Sequence, residues 1–289
     1  MSESTHTIRI RVDATNPGQF FACCGLLELA ARSPGEATGR FHRAGSDTHF
    51  HLTMANAGAV AALFEQIAFC QVSSTLSPQE IGRLRTLLTM SKALQTPEVK
   101  REKTRLTEKW KYERITLKPF GLVIDWWMDE YSGSNTLKTW AGLQLVTDII
   151  EGNLKALRTQ EFKAFPAADL LSYETDDGGL PFYFDAAIGG HSTSLDVGFS
   201  LDALKIRGRI KPAIEFLAFV GLQRFRPRRD GDVFRYRTWE QDMPPILAAA
   251  VSGGGFAADG MHTYEFPLLY RTKYLKAFLT AKPTTTSQL

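Results

Sequence analysis

The chain predicts a mixed α+β fold that opens with a ferredoxin-like, split βαβ unit, and three observations near its start predict it. From His6 to Asp13 apolar and basic residues alternate (Thr-Ile-Arg-Ile-Arg-Val) with the period of two that marks a half-buried strand. A helix that is apolar nearly all round follows at once. Behind it come two short segments split by turn formers, and then a second helical pattern. The order strand, helix, strand, strand, helix is the opening of a split βαβ unit, although such folds host many unrelated functions.

Each element has its own signal. Asn16-Pro17-Gly18-Gln19 opens the first helix: Asn16 caps it, Pro17 suits the first helical position, and Gln19 stands where a capping-box partner belongs. Phe20, Phe21, Cys23, Cys24, Leu26, Leu27 and Leu29 cover its surface, which only a buried helix tolerates. Thr38 to His42 and Thr48 to Thr53, split by Gly45-Ser46-Asp47, predict a hairpin. Val60, Leu63, Phe64 and Ile67 set a second helix from about Asn56 to Cys70. Ser77-Pro78-Gln79-Glu80 repeats the cap, proline and acidic pattern before a third helix with Ile81, Leu84, Leu87 and Leu88 on its apolar face.

Beyond Gln95-Thr96-Pro97 the apolar pattern stops, and a charged helical insertion runs from Lys100 to Lys118. A strand from Leu122 to Trp127 is predicted, with a turn at Ser132-Gly133-Ser134, then a long helix from Thr136 to Leu157 carrying Leu137, Trp140, Leu143, Val146, Ile149 and Ile150. The stretch from Pro166 to Phe199 reads as β-like, with aromatic alternation at Phe182-Tyr183-Phe184 and turns at Asp176 to Gly179 and Gly189-Gly190. A helix from Pro212 to Leu222 follows, then one from Pro245 to Val251 that stops at Gly253-Gly254-Gly255. A closing strand runs near Tyr264 to Tyr270, and the tail from Lys282 reads as frayed. The expected division is a ferredoxin-like unit with its basic helical segment over 1–120 and an α+β part over 121–289, the two packed as one body.

At 289 residues, 44% hydrophobic and 22% charged, the chain belongs with globular proteins able to bury a large core. No apolar run approaches the roughly 18 residues of a membrane span, and the polar N-terminus has no signal-peptide pattern, so the expected location is cytoplasmic, away from membranes. Cys23, Cys24 and Cys70 lack a CxxC spacing and read as small buried hydrophobes. The net charge of +3 is mild, so the distribution of charge matters more than its total.

Two basic clusters stand out. The first holds Lys100, Arg101, Lys103, Arg105, Lys109 and Lys111, with Arg114 and Lys118 beyond, interleaved with Trp110 and Tyr112. That mix can clamp a phosphate backbone and stack on bases, while Glu102, Glu108 and Glu113 are also what a solvated helix with ion pairs would carry. The second places Lys205, Arg207, Arg209 and Lys211 before a helix, and Arg224, Arg226, Arg228, Arg229, Arg235 and Arg237 after it, among Phe225, Phe234, Tyr236 and Trp239. Arginine suits planar phosphate oxygens and ring stacking. Phe234 and Tyr236 would share one strand face and Arg235 and Arg237 the other; a solubilising edge strand is the plainer alternative.

Other candidates are weaker. His49 and His51 fall on one strand face near His42, but no acidic or cysteine partner stands at ligand spacing, so neither metal nor cofactor is expected. His49, His51, His191 and His262 lack an accompanying motif or nucleophile, and no catalytic residue is assigned. Ser252-Gly253-Gly254-Gly255 lacks the ending of a P-loop and reads as a helix stop that would still let backbone approach RNA. Trp126, Trp127 and Trp140 are most simply core.

The opening strand followed by Asn16-Pro17-Gly18-Gln19-Phe20-Phe21-Ala22-Cys23-Cys24-Gly25-Leu26-Leu27-Glu28-Leu29 resembles the N-terminus of the Csb-type CRISPR-associated proteins, the third Csb family of type I-U (I-G) loci. Phe219-Val220-Gly221-Leu222-Gln223-Arg224-Phe225-Arg226-Pro227, with Arg235-Tyr236-Arg237-Thr238-Trp239 behind it, is similar to the same family. The resemblance implies a RAMP/RRM-like, non-catalytic subunit of a Cascade-like surveillance complex. Such a subunit would bind CRISPR RNA or target DNA beside backbone and Cas-five-like subunits, with a separate helicase nuclease doing the cutting. In such complexes base pairing carries sequence specificity while protein reads shape and phosphates. Two alternatives stay open. One is a Cas-six-like, metal-independent endoribonuclease with a histidine general base and the Gly253 to Gly255 loop near the scissile phosphate. The other is a protein-interaction module whose arginines meet acidic partner surfaces.

Overall fold

The computed structural model describes residues 5–128, 136–140, 144–176, 179–189, 209–270 and 275–284. Strand β1 (His6–Val12) pairs antiparallel with β3 (Asp47–Met54), and β3 pairs antiparallel with β2 (Ala37–Ala44), so the first sheet has the order β1-β3-β2. Ile10, Phe50 and Phe41 line up across the three strands and face the core. The β2–β3 turn holds Gly45 at φ +65°, a left-handed conformation that glycine adopts without steric cost. Helix α1 (Pro17–Ala30) is capped by Asn16, whose side chain accepts from the Gly18 amide at 3.0 Å. Gln19 does not close a capping box; its Oε1 accepts from the Asp13 amide at 2.8 Å and ties the helix to the end of β1.

Helix α2 (Ala57–Ala68) follows, capped by Asn56. The next strand, β4 (Gln71–Ser74), carries no apolar run and escapes a sequence reading. It pairs with β5 (Ile115–Lys118), not with β1, and β5 pairs with β6 (Leu122–Ile124) in a second antiparallel sheet. Between β4 and β5 stand α3 (Pro78–Thr89) and α4 (Pro97–Lys111). The expected capping box at Ser77 and Glu80 is present in both directions, at 3.2 and 2.9 Å. Leu84, Leu87 and Leu106 join Leu76 and Leu145 in a small core of their own.

The expected strand to Trp127 ends at Ile124, and Trp126–Met128 is a 3-10 turn whose Trp126 indole donates to the Phe219 carbonyl at 3.1 Å. The expected long helix is confined to α5 (Val146–Leu157); residues 136–140 are not helical, because Trp140 is drawn into a ring cluster with Trp126, Trp127 and Phe182. After α6 (Gln160–Lys163), the described part of the stretch expected to be β-like holds a 3-10 segment over Ala167–Ser172 beside β1, a single bridge from Thr175 to Ile210, and α7 (Ala186–Gly189); residues 177–178 and 190–199 of that stretch lie outside the described residues. Phe182 and Phe184 are both buried and stack with ring centroids 5.2 Å apart, and Tyr183 between them takes φ +66°. The turn expected at Ser132 to Ser134 lies outside the described residues.

Helix α8 (Pro212–Gly221) is buried along its length and crosses α1 at its glycines. A Cβ on Gly25 would overlap the Leu217 carbonyl, and one on Gly221 the Phe21 carbonyl. The third sheet runs β10 (Lys276–Phe278), β9 (His262–Tyr270), β8 (Val233–Thr238), β7 (Arg228–Asp230), with β11 (Lys282–Thr284) pairing further along β9. The tail expected to fray at Lys282 is therefore a strand up to Thr284. After β8 the chain runs along the outer edge of β2: the Phe41 amide donates to the Trp239 carbonyl at 2.8 Å, and Gly39 and Met243 form an antiparallel bridge. Helix α9 (Pro245–Ser252) comes next and stops at Gly253. One hydrophobic core runs from Ile10 to Ala281 across all three sheets.

Candidate nucleic-acid interface

Helix α4 presents the first basic cluster. Trp110 packs against the small core around Leu106, so it is not a stacking platform, whereas Tyr112 is 70% exposed. Lys109 donates to both oxygens of Glu80 at 2.8 and 2.6 Å, Arg105 lies 4.0 Å from the same carboxylate, and Lys111 pairs with Glu108 at 2.6 Å. The hydrogen bond from Lys109, aided by the Ser77 amide, holds the Glu80 carboxyl down at about 2. Lys100, Arg101 and Lys103 have no carboxylate partner among the described residues.

The second cluster divides into structural and outward members. Arg224 Nε lies 2.5 Å from Oε2 of the buried Glu28, which also accepts from Arg32 at 2.8 Å, so Arg224 clasps the end of α8 to α1. Arg209 lies 3.5 Å from Asp176 and 4.0 Å from Glu174; Lys211 faces Asp185 and Glu174. Lys205 and Arg207 lie outside the described residues. Arg226 is exposed, with Nη2 at 3.4 Å from the Gln223 carbonyl. Phe225, Phe234, Tyr236 and Trp239 are all core residues, and Tyr236 stacks on Phe20 with ring centroids 4.2 Å apart. None of these four rings is open to a base.

What remains is a sheet face. Along β8 burial alternates as expected, with Phe234 and Tyr236 inward and Arg235 and Arg237 outward. The register sets Arg228, Arg235, Glu265 and Lys282 in one row across four strands. Arg235 is held by Asp230 at 2.5 Å and Glu265 at 2.8 Å. Arg228, Arg229 and Arg237 have no carboxylate partner among the described residues; Arg229 donates to the Gly231 carbonyl. The Arg237 guanidinium stands about 3.5 Å from where a Cβ on Gly254 would lie, which brings the glycine loop beside this face.

A second basic face was not assembled from the sequence. On the outward side of the first sheet, Arg9, His51 and Arg40 form one register row and Arg11, His49 and His42 the next. The signal was present in three pieces, the Arg9/Arg11, Arg40/His42 and His49/His51 pairs at spacing two, which only the strand register unites. Arg11 reaches Asp169 at 3.4 Å and Arg40 reaches Asp242 at 3.6 Å. Burial, then the nearby charges of Arg40 and Arg9, push the His51 ring below the usual histidine value. Among the described residues no group of three or more His, Cys, Asp or Glu side chains could hold a metal ion.

Cys23, Cys24 and Cys70 are buried thiols, all pushed up by burial, Cys70 to about 12. Among the described residues no helix is long and apolar enough to cross a membrane. No protein-family model, curated protein or solved structure matches the chain.

Proposed function

We propose that the protein is a non-catalytic, nucleic-acid-binding subunit of a Cascade-like, type I CRISPR interference complex, holding CRISPR RNA or target DNA through its phosphates. The observation that carries this reading is the β7–β8 face, where Arg228 and Arg237 stand outward above a row of buried rings, with the exposed Arg229 at the sheet edge in register with Phe234. Phosphate contacts of that kind position a strand without reading its sequence, as a subunit that leaves recognition to base pairing requires.

Three further features support the assignment. The β1-β3-β2 order with α1 and α2 agrees with three of the four strands and both helices of a ferredoxin-like, RAMP-type unit, while β4 joins another sheet. The two stretches that carry the family resemblance, some two hundred residues apart, pack on each other through Gly25, Gly221 and the Glu28–Arg224 pair. Helix α9 leaves Ile246 and Leu247 exposed, with Phe256 beyond them, which suits contact with neighbouring subunits. A cytoplasmic location and a separate helicase nuclease belong to the same reading.

The test is fluorescence anisotropy with labelled CRISPR-repeat RNA and with single-stranded DNA over a range of salt. The triple variant Arg228→Gln, Arg229→Gln, Arg237→Gln should bind more weakly, with a salt slope smaller by about 0.7 per lost phosphate contact. Unchanged affinity and slope would overturn the reading. Cleavage of the RNA in EDTA would favour the endoribonuclease instead.

A further inference from the structure

We propose that the outward face of the first sheet is a phosphate-binding site built from Arg9, Arg40 and His51, with Arg11, His42 and His49 in the adjoining row. It lies on a different sheet from the β7–β8 arginines and stands independently of them.

The first argument is charge. Six cationic or ionisable nitrogen side chains occupy two neighbouring register rows, and the carboxylates that reach them, Asp169 and Asp242, come from flanking segments and engage Arg11 and Arg40. Arg9, in the central row, has no carboxylate partner among the described residues. A cation would be repelled from such a face, and an anion is drawn to it.

The second argument is the direction of the protons. Arg40 Nη2 lies 3.5 Å from His51 Nδ1. A guanidinium has donors only, so Nδ1 must accept, which leaves the proton of the neutral ring on Nε2. His51 is 8% exposed, and that Nε2 has no hydrogen-bond partner. Nε of Arg40 is likewise shielded from solvent and unpartnered, as is Nδ1 of His49. Shielded donors that lack acceptors are uncommon, because they carry a desolvation cost with nothing to offset it.

One ligand answers both arguments. A phosphate or phosphodiester offers several acceptor oxygens on one centre and brings negative charge to a face on which cations outnumber carboxylates, and its geometry matches the fork of an arginine. Small shifts of the Arg40 and His51 side chains would turn both orphan donors onto such an oxyanion. The next row along the strands carries Thr7, Thr53 and Thr38, with the Thr7 and Thr53 hydroxyls 2.8 Å apart, so in that direction the face continues as uncharged donors, while Asp47 shares the face at its other end, two residues from His49. Protonation of His51 adds charge facing Arg9 and Arg11 of β1, Arg40 of β2, Asp47 of β3, and the flanking Asp169 and Asp242. A phosphodiester keeps its single negative charge across the histidine range, so its binding should strengthen as pH falls there.

The test is a titration of the full chain with inorganic phosphate, followed by calorimetry and by NMR of the histidine rings. Saturable binding is expected, with the histidine titrations moved to higher pH when phosphate is present. Arg40→Gln and the fully outward Arg9→Gln should each weaken binding about ten- to a hundredfold, the loss of one charge-assisted hydrogen bond. Arg9→Gln keeps the test open if Arg40→Gln perturbs the fold. Competition by a short single-stranded RNA would identify the source as a nucleic-acid strand, and its absence would identify a free phosphate or small phosphorylated molecule. No saturable response, or the same response in both variants, would overturn the site. Phosphate binding that survives in the Arg228, Arg229, Arg237 triple variant would separate this site from the function proposed above.

Discussion

Glu28 and Arg224 are 196 residues apart in sequence, yet the Arg224 guanidinium donates through Nε and Nη2 to the two carboxylate oxygens of Glu28, at 2.5 and 3.2 Å. Burial alone would push the Glu28 carboxyl up, but the hydrogen bonds from Arg224 and Arg32 outweigh it and hold the group below its ordinary value. A depressed carboxyl stabilises the fold above its unfolded value and loses that contribution as pH falls through the folded one. Arg224→Ala should thus destabilise by about 1–3 kcal/mol near neutrality, tempered by the remaining Arg32 and the partial exposure of Arg224. The penalty should shrink in acid. Denaturant unfolding at two pH values checks both points, and a penalty that grows in acid would contradict the account.

The α1–α8 crossing has no room for a side chain at Gly25 or Gly221. Alanine normally helps a helix interior by about 1 kcal/mol over glycine, but here its Cβ would strike backbone that cannot turn aside. Gly25→Ala should lower the unfolding midpoint or abolish soluble expression. Gly82→Ala, on the open side of α3 with nothing within 4 Å, is the matched control and should raise stability by about 0.5–1 kcal/mol. Equal effects at the two positions would deny the close approach.

How far the sequence could be read follows from which forces decide each element. Local signals sufficed for β1, the β2–β3 hairpin, the Ser77 cap and the alternation of β8, since period and capping are properties of a few neighbouring residues. Strand β4 is four residues, Gln-Val-Ser-Ser, and exists because β5 offers it hydrogen bonds. The long helix predicted through Trp140 fails because Trp126, Trp127 and Phe182 claim that ring by tertiary contact. The candidate site shows the same division. Outward Arg235 and Arg237 were legible, whereas the partnership of Arg224 with Glu28 and the gathering of Arg9, His51 and Arg40 depend on chain crossing and register.

A buried pair of carboxylates makes stability depend on pH in the opposite sense from Glu28. Glu215 is fully buried, accepts from the Phe184 and Asp185 amides at 3.3 and 3.1 Å, and is pushed up to about 7 chiefly by burial. Asp185 beside it is paired with Lys211 at 3.5 Å and accepts from Asn16 at 2.6 Å. The folded state holds the Glu215 proton more tightly than the unfolded chain, so this group's contribution is complete below about 4.5 and is lost as pH rises to about 7. Glu215→Gln, which cannot ionise, should flatten that part of the stability curve. Subtracting the variant's unfolding free energies from those of the parent isolates the effect, and a flat difference between those limits would refute it.

Whether α4 contributes to nucleic-acid binding can be decided through a residue that touches no ligand in the proposed scheme. Glu80 neutralises Lys109 and lies 4.0 Å from Arg105, while its Oε2 also accepts from the Ser77 amide to complete the helix cap. Glu80→Gln keeps an acceptor for the cap and removes the charge, so α3 should stay folded while two cations are released toward solvent. If Lys100, Arg101 and Lys103 already hold phosphates, the released pair should raise affinity for single-stranded RNA at low salt and steepen the salt slope by up to about 1.4, two additional phosphate contacts. If α4 is merely a solvated helix, the variant should bind as the parent does. Anisotropy at several salt concentrations, with circular dichroism to verify the helix content, distinguishes these outcomes, and an unchanged slope would confine the interface to the sheet faces.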